Sequence, residues 1–411
     1  MSETHQFVLK ILSDKASIVH LFIVGISLGW CSTIFGQTKE DSLKATIRYG
    51  DKGFEFRTAN NNYLMQIQWR LQTRIAYPYD SDPITLEEFG EDQLIIGIKR
   101  ARMKVGGHAF TPSFKYYLEY ELSAGKLLDF RAMYEFSPAL NLKIGQWKTQ
   151  YSRERIISSG KQQAVDRSIL NFAFTLDRQQ GISLYGRFKG DGLLDFNYWV
   201  STLMGTGRGA NDNDDGNLLW MTRWQWNPFG SPVAFVGSDL REQQPFILSF
   251  ALAAATNRSP YTRFSTNGGG QLPGFEEGID GQYRVNQWLQ ETSAMVHGFS
   301  WQQEFHWKEI DDRVNLTNTV LMGNLVQIGY FFHHLIPAFP TRMELFLRHA
   351  FYDPDTDIKD NFREEITFGT NWFFKGHRNK LTLEYSHLEF QDNPESLSDG
   401  SRVRLQWDVS F

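Results

Sequence analysis

Cysteine is almost absent from this chain: its 411 residues contain one, Cys31. Disulfides are excluded, and so are thiolate metal centres, which need several cysteines at short spacing. Long apolar runs are missing too. Beyond residue 36 no stretch approaches the roughly 20 consecutive apolar residues that a membrane-spanning helix requires, which excludes a helical membrane protein. No Pro- or Ser-rich linker divides the chain, although its length would by default suggest two or three soluble domains. Positive charge is also in short supply. There are 42 Lys and Arg against 47 Asp and Glu, a formal net charge of -5. A nucleic-acid binder should be basic, so nucleic acid is not an expected partner.

The N-terminus has a character of its own. Lys10 and Lys15 precede an apolar run from Ile18 to Trp30, broken only by His20. Small and polar residues follow, with a cut expected near Gly36–Gln37, so 1–36 reads as a secretory signal peptide. A membrane anchor is disfavoured because the run is short for spanning. Lipidation of Cys31 is disfavoured by the bulky Trp30 before it. Cys31 would leave with the signal. So would Lys10, Lys15, Glu3 and Asp14, which leaves the net charge unchanged.

What the chain does have is alternation. Val403, Leu405, Trp407, Val409 and Phe411 are apolar, and Arg402, Arg404, Gln406, Asp408 and Ser410 lie between them. That is a strand with one oily and one wet face, ending on an aromatic. From Tyr63 to Tyr77, Tyr63, Met65, Ile67, Trp69, Leu71 and Ile75 share one face, and Gln66, Gln68, Arg70, Gln72 and Arg74 the other. Similar strands follow near 94–110, 114–122, 127–136, 140–148, 179–188, 193–203 and 218–227. Others fall near 245–256, 284–297, 299–308, 323–334, 341–352, 362–374, 379–390 and 401–411. About sixteen such segments, most of them the length of a tilted membrane strand, suit an all-β, 16-stranded antiparallel transmembrane β-barrel, with a soluble β-sandwich as the alternative.

Loop length tests the choice. Bacterial barrels carry long exterior loops and short periplasmic turns. Counted from the first strand, the odd connections are mostly long: 78–92, 149–178, 204–217, 257–283, 309–322, 353–361 and 391–400, with 123–126 short. The even ones are mostly tight, except 228–244. A sandwich has no reason to sort loops by parity. Aromatics near strand ends, among them Tyr77, Tyr79, Phe110, Phe114, Trp220, Trp224, Trp226, Trp301, Trp307, Trp372, Phe373 and Phe374, suit interfacial girdles. Residues 37–62 precede the barrel of 63–411, and Gly53-Phe-Glu-Phe-Arg57 reads as a periplasmic strand or lead-in.

Charge on the inward faces is the candidate site. Arg100, Arg102 and Lys104 form a ladder on one face of 94–110, and facing lipid they would be costly. Arg70, Arg74, Lys115, Arg131, Lys143, Arg187, Lys189, Arg223, Arg342, Arg348, Arg402 and Arg404 share the inward register. So do the carboxylates Glu119, Glu121, Asp129, Glu135, Asp195, Glu304, Glu344, Glu384 and Asp408. Cations outnumber acids on these faces although the whole chain is acidic. Rings of Arg and Lys suit an anion or phosphate pore, and guanidinium binds phosphate oxygens as a fork. Cross-strand salt bridging, for instance Arg131 with Glu119 or Glu121, is the alternative use.

The loop 149–178 carries Arg153, Arg155, Lys161, Arg167 and Arg178 with apolar Ile156, Ile157, Ile169, Leu170, Phe172 and Phe174. Such anchors suit a segment folded back into the barrel as its constriction, or else a patch for a sister subunit. Asp212, Asp214 and Asp215, and Asp353, Asp355 and Asp357 with Glu364, invite a calcium reading. Ile358 stands where an EF-hand needs Gly, so these read as solvated turns. Ser386 and His387 are strand neighbours on opposite faces, and His333–His334 is excluded as a metal pair for the same reason. No enzyme signature, metal site or cofactor is expected.

In order and spacing the chain resembles the phosphate-selective porins O and P over nearly all of its mature length. The carrying segments are Gly53-Phe-Glu-Phe-Arg57, Leu64-Met-Gln-Ile-Gln68 with Arg70 and Gln72, Lys99-Arg-Ala-Arg102 with Gly106, and Tyr117-Leu-Glu-Tyr-Glu121. Leu142-Lys-Ile-Gly-Gln146-Trp-Lys148, Asp166-Arg167 and Arg178-Gln-Gln-Gly181 with Gly186 complete them. The resemblance implies a homotrimeric sixteen-stranded barrel in the Gram-negative outer membrane. It implies passage of phosphate, polyphosphate or other small anions through an Arg- and Lys-lined constriction shaped by the third exterior loop. Arg100 and Arg102 would then belong to the lumen ladder, and 149–178 would be that loop. The expected partners are small anions such as phosphate, outer-membrane lipid and two further copies of the chain. A general non-selective porin, or a closed barrel serving as an envelope element, is the alternative.

Overall fold

A computed structural model describes residues 44–90, 92–190, 193–209, 213, 216–264 and 270–411. The expected signal peptide with Cys31, and the acidic group Asp212, Asp214 and Asp215, lie outside the described residues. The strands are β1 (Ala45–Gly50), β2 (Gly53–Thr58), β3 (Leu64–Tyr77), β4 (Ile95–Ala109), β5 (Thr111–Glu121), β6 (Lys126–Ser137), β7 (Leu140–Lys148), β8 (Arg178–Lys189) and β9 (Asp195–Leu203). They continue with β10 (Leu219–Trp226), β11 (Ile247–Ser259), β12 (Tyr283–Val296), β13 (Phe299–Asp312), β14 (Thr317–Tyr330), β15 (Met343–Asp353), β16 (Phe362–Phe373), β17 (Asn379–Asn393) and β18 (Ser396–Ser410). From β3 to β18 each strand pairs antiparallel with the next. β18 returns to β3 from Val403–Tyr77 to Ser410–Arg70, so sixteen strands close on themselves. Closure leaves the ring of sixteen strands no open edge, the condition a sheet must meet in hydrocarbon.

The C-terminus completes the seam. Phe411 N donates to Trp69 O at 3.0 Å, and Trp69 N donates to Phe411 O at 2.7 Å. Beyond that point β2 takes over as the neighbour of β3, from Phe54–Ile67 to Arg57–Leu64, with β1 paired to β2. The Gly53–Arg57 segment is therefore a strand, and the preceding six residues of β1 pair with it.

Alternation sorts the faces as the pattern requires. On β16 Ile366, Phe368 and Trp372 are exposed outward, while Arg363, Glu365, Thr367 and Asn371 are buried inward. On β18 Val403 and Trp407 face out, and Arg402, Arg404, Gln406 and Asp408 face in. Outward aromatics stack across neighbouring strands, as Tyr198 on Trp224 (5.6 Å between ring centroids) and Trp226 on Phe250 (5.8 Å). Tyr79 and Phe373 depart from the expected girdle and are buried. Phe368 stands mid-strand on the outer face. Phe368→Arg will destabilise the barrel by about 2–4 kcal/mol in lipid, read by reversible denaturant unfolding in vesicles.

Two connections expected to be long loops are hairpins instead. β13 and β14 pair as far as Asp312–Thr317, and β17 and β18 as far as Asn393–Ser396. Polar alternation continues past the membrane zone in both, so the ladders extend with it. Asp353 and Asp355 accept from the backbone N–H of Asp355 (3.0 Å) and Asp357 (3.1 Å), so these carboxylates shape a local turn.

The core lies inside the barrel. The segment 149–178 between β7 and β8 folds inward and carries two short helices, α1 (Arg153–Ile156) and α2 (Leu170–Phe174). Tyr151, Ile169, Leu170, Ala173, Phe174 and Leu176 pack against Leu219, Met221, Leu289, Ile310, Leu321 and Leu325 of the wall. Glycines on the inner face of β14 make room for it. A Cβ at Gly329 would lie 1.8 Å from Gln163 Nε2, and one at Gly323 would lie 2.8 Å from Phe174.

Candidate functional site

The inner wall divides into two unlike halves. Strands β12 to β18 carry carboxylates whose partners are the inserted segment. Glu304 accepts from Glu154 N (2.6 Å) and Ser152 Oγ (2.7 Å), Glu384 from Val165 N (2.7 Å), and Glu365 from Ile169 N (3.0 Å). Glu344 accepts from Gln163 Nε2 at 2.7 Å. Cations of the same wall donate to the segment's carbonyls: Lys308 to Ala173 O (2.8 Å), Lys380 to Gln162 O (2.6 Å) and Arg348 to Asp166 O (2.8 Å). Orphan backbone groups of an irregular segment buried away from water need such partners. Glu304, Glu344, Glu365 and Glu384 are thereby used as anchors, each at most 1% exposed.

The other half faces a cavity of about 1440 Å³. Arg70, Arg102, Lys104, Lys115, Glu119 and Arg131 line it from β3 to β6. Lys148, Ile156, Ser158, Lys161 and Arg178 line it from the inserted segment and its roots. Its floor is the long connection between β10 and β11, which also folds inward: Gly237 N donates to Lys161 O at 2.9 Å, and Val233 is buried.

The expected site residues fall into three groups. Arg70, Arg102, Lys104, Arg131, Lys161 and Arg178 line the cavity. Arg70 donates to Ser158 Oγ (3.0 Å) and Ser159 Oγ (2.5 Å). Arg102 pairs with Glu119 (2.8 Å) and Glu121 (2.6 Å). Arg131 pairs with Asp129 (2.7 Å), not with Glu119 or Glu121, and lies 4.6 Å over the Tyr117 ring. Arg178 shares Asp129 at 2.5 Å.

Arg100 and Arg155 stand next to the cavity rather than on it. Arg100 holds both oxygens of Asp166 at 3.2 Å, and Arg155 holds Asp177 with its Nε at 3.0 Å. Burial raises the Asp166 carboxyl, but Arg100, Arg74, Lys99 and Arg167 outweigh it and hold the group well below the usual carboxylate range.

The remaining residues are placed away from the cavity, each for a physical reason. Arg74 is fixed by Asp80 (2.5 Å), Asp166 (3.2 Å) and Gln406. Arg187 binds Asp195 (2.5 Å) and Gly230 O (3.0 Å). Arg223 is 0% exposed, paired with a Glu291 that is also 0% exposed, and donates to Tyr151 O (2.8 Å). Arg153 turns toward Val233 O and Ala234 O, under the Phe235 ring. Arg167 is spent on the carbonyls of Glu154 and Ile157.

Two contributors were missed. Lys148 has the outward parity of Ile144 on β7, opposite to the inward Lys143, so strand periodicity gave no signal for it; at the strand's end its amine reaches the carbonyls of Ile156 and Ile157. The inward fold of the β10–β11 connection was signalled by its length, anomalous among the even connections. The premise of one exclusion also fails. β14 ends at Tyr330, and His333 and His334 sit in a 3₁₀ turn (Phe332–His334) rather than on a strand, with both imidazoles toward Glu242.

Comparison with known proteins agrees with this architecture. The anion-selective porin of Comamonas acidovorans superposes with a TM-score of 0.55 at 12% identity, over 84% of this chain and 99% of that one. OmpT of Vibrio cholerae, in its trimer form, gives 0.54 at 9% over 84% and 99%. OprB of Pseudomonas putida gives 0.53 at 10% over 84% and 94%. At such identities the likeness is one of fold. No curated protein matches by sequence. The profile of the family described as "Phosphate-selective porin O and P" matches residues 70–411, so the chain belongs to that family and is a β-barrel porin of the outer membrane.

Proposed function

We propose that this porin passes small anions by passive diffusion, along a water path between the β3–β7 wall and the inserted 149–178 segment. The lining of the cavity carries the reading. Among the described residues, thirteen Lys and Arg line it against four acids, Asp51, Glu119, Asp129 and Asp239, although the whole chain is acidic. Arg70, Lys104, Lys148 and Lys161 have no carboxylate within salt-bridge distance among the described residues, which leaves them to attract a solute anion. Arg102, Arg131 and Arg178 are held by carboxylates and set the shape of the path. A low-dielectric wall lined by one sign of charge concentrates counter-ions, and Arg forks with Lys point charges suit phosphate oxygens.

In this reading 149–178 is the third exterior loop, residues 1–36 are the signal peptide, and 37–62 are a periplasmic lead-in to the barrel of 63–411. The trimer form of the V. cholerae relative supports a homotrimer. No catalytic step and no cofactor are involved.

The two inward-folded segments favour one other reading, a barrel closed to ions that serves the envelope by binding or support. Reversal potential in a KCl gradient across a planar bilayer decides between them. The expected result is a potential of anion-preferring sign and a chloride current that falls as phosphate is added. A cation-preferring or neutral potential contradicts anion selectivity, and no unitary current from folded protein supports the closed barrel.

A further inference from the structure

We propose that Glu242, His333 and His334 form a binding site for a divalent cation of the zinc class, at the barrel rim that carries the tight turns. The three come from two connections. Glu242 belongs to the inward-folded β10–β11 connection, and the histidines belong to the turn after β14. His333 Nε2 lies 3.5 Å from Glu242 Oε1, and His334 Nε2 lies 3.8 Å from Glu242 Oε2. One donor atom from each side chain falls within 4.8 Å of the other two, and among the described residues no other His, Cys, Asp or Glu group converges in this way. A tetrahedral zinc ion with bonds of about 2.0–2.2 Å needs donors roughly 3.2–3.6 Å apart, so small side-chain movements complete the geometry. Two imidazoles and a carboxylate with an open fourth position are a zinc-type set. Calcium and magnesium prefer all-oxygen shells.

Ordinary hydrogen bonding does not account for the cluster. Both His–Glu separations reach or exceed the usual limit for such a bond. Pairing by charge would need two protonated rings whose centroids are 4.0 Å apart. His334 Nε2 and His333 Nδ1 are buried without a hydrogen-bond partner, an uncommon state for buried polar atoms. Glu242 itself has φ of +49°, a left-handed conformation that Gly or Asn adopts at less cost. Asp239 fixes that turn: its Oδ2 accepts from Gln243 N (2.8 Å) and Gly298 N (3.0 Å). The carboxylate is thus presented to the histidines by a firmly tied backbone. A bound cation would fasten the inward-folded connection, the floor of the cavity, to the neighbouring turn.

The test uses untagged full-length protein in detergent, stripped with a chelator and titrated with Zn²⁺ against a chromophoric competitor. One ion per chain is expected. Removing even an outer partner of a metal ligand weakens binding about 10–100-fold, so Glu242→Gln and His333→Ala will each weaken it at least about 10-fold. His349→Ala, which breaks a His–Glu pair elsewhere (2.7 Å), will leave it unchanged. Heat-modifiable gel mobility confirms that each variant is a folded barrel. Failure of the wild-type protein to bind stoichiometrically, or equal binding by wild type, Glu242→Gln and His333→Ala, overturns the site.

Discussion

Lys104→Glu combined with Lys148→Glu turns the channel from anion-preferring to cation-preferring. Both side chains line the cavity, and among the described residues neither is paired with a carboxylate. Lys148 is steadied only by the carbonyls of Ile156 and Ile157, each at 3.2 Å. A unit charge about 8 Å from a passing ion contributes about 1 kcal/mol at an effective dielectric near 40, and reversing it changes the energy by about twice that. Two reversals therefore change the relative permeability of anion and cation by more than about tenfold at low salt. The effect shrinks at 1 M, where the screening length is about 3 Å. Reversal potentials of wild type and double variant at two ionic strengths check this. Lys359→Glu, in the exposed β15–β16 connection, serves as the control and leaves the potential unchanged.

Glu384→Ala has the largest expected effect on stability. Its carboxylate binds Arg404 at 2.5 Å and accepts from Val165 N, with both side chains of the ion pair at most 1% exposed. Removing the acid leaves a buried guanidinium uncompensated, which costs about 3–5 kcal/mol. It also frees the stretch of the inserted segment that holds Asp166 against Arg100. The variant will unfold at lower denaturant, and its unitary conductance will be larger and noisier than that of wild type. Unchanged midpoint and conductance would mean that the segment is held elsewhere.

The barrel was legible because its cause is local. Lipid outside and polar groups inside impose a two-residue period on each strand, and closure sorts loop lengths by parity. Sixteen strands followed from those patterns, and the family resemblance from particular segments such as Lys99-Arg-Ala-Arg102 and Tyr117-Leu-Glu-Tyr-Glu121. Which inward cation meets water was not legible. Arg223 and Lys104 share the inward register. They differ because Glu291 and Tyr151, distant in sequence, close over one and nothing closes over the other. The same holds for Glu304, Glu344 and Glu384. Counted as lumen charges they oppose an anion path, but each binds the inserted segment and lies behind it. His333–His334 was excluded on strand parity, and the strand stops at Tyr330. A boundary shift of a few residues changed which way two side chains point, which no periodicity of the segment reveals.

The central claim is that water and solute follow the β3–β7 side of the lumen while the β12–β18 side is sealed beneath the inserted segment. Thiol accessibility tests it most directly, since the only native cysteine is Cys31 in the expected signal peptide. Lys104→Cys and Ser386→Cys each place one thiol on an inward face. Lys104 lines the cavity, whereas Ser386 is 0% exposed and bonded to Thr367 Oγ1 at 2.8 Å. A small anionic methanethiosulfonate reagent added to a conducting channel should react rapidly at position 104 and reduce the current, and should leave position 386 unmodified. Equal reaction at both positions, or reaction at 386 alone, would contradict the account.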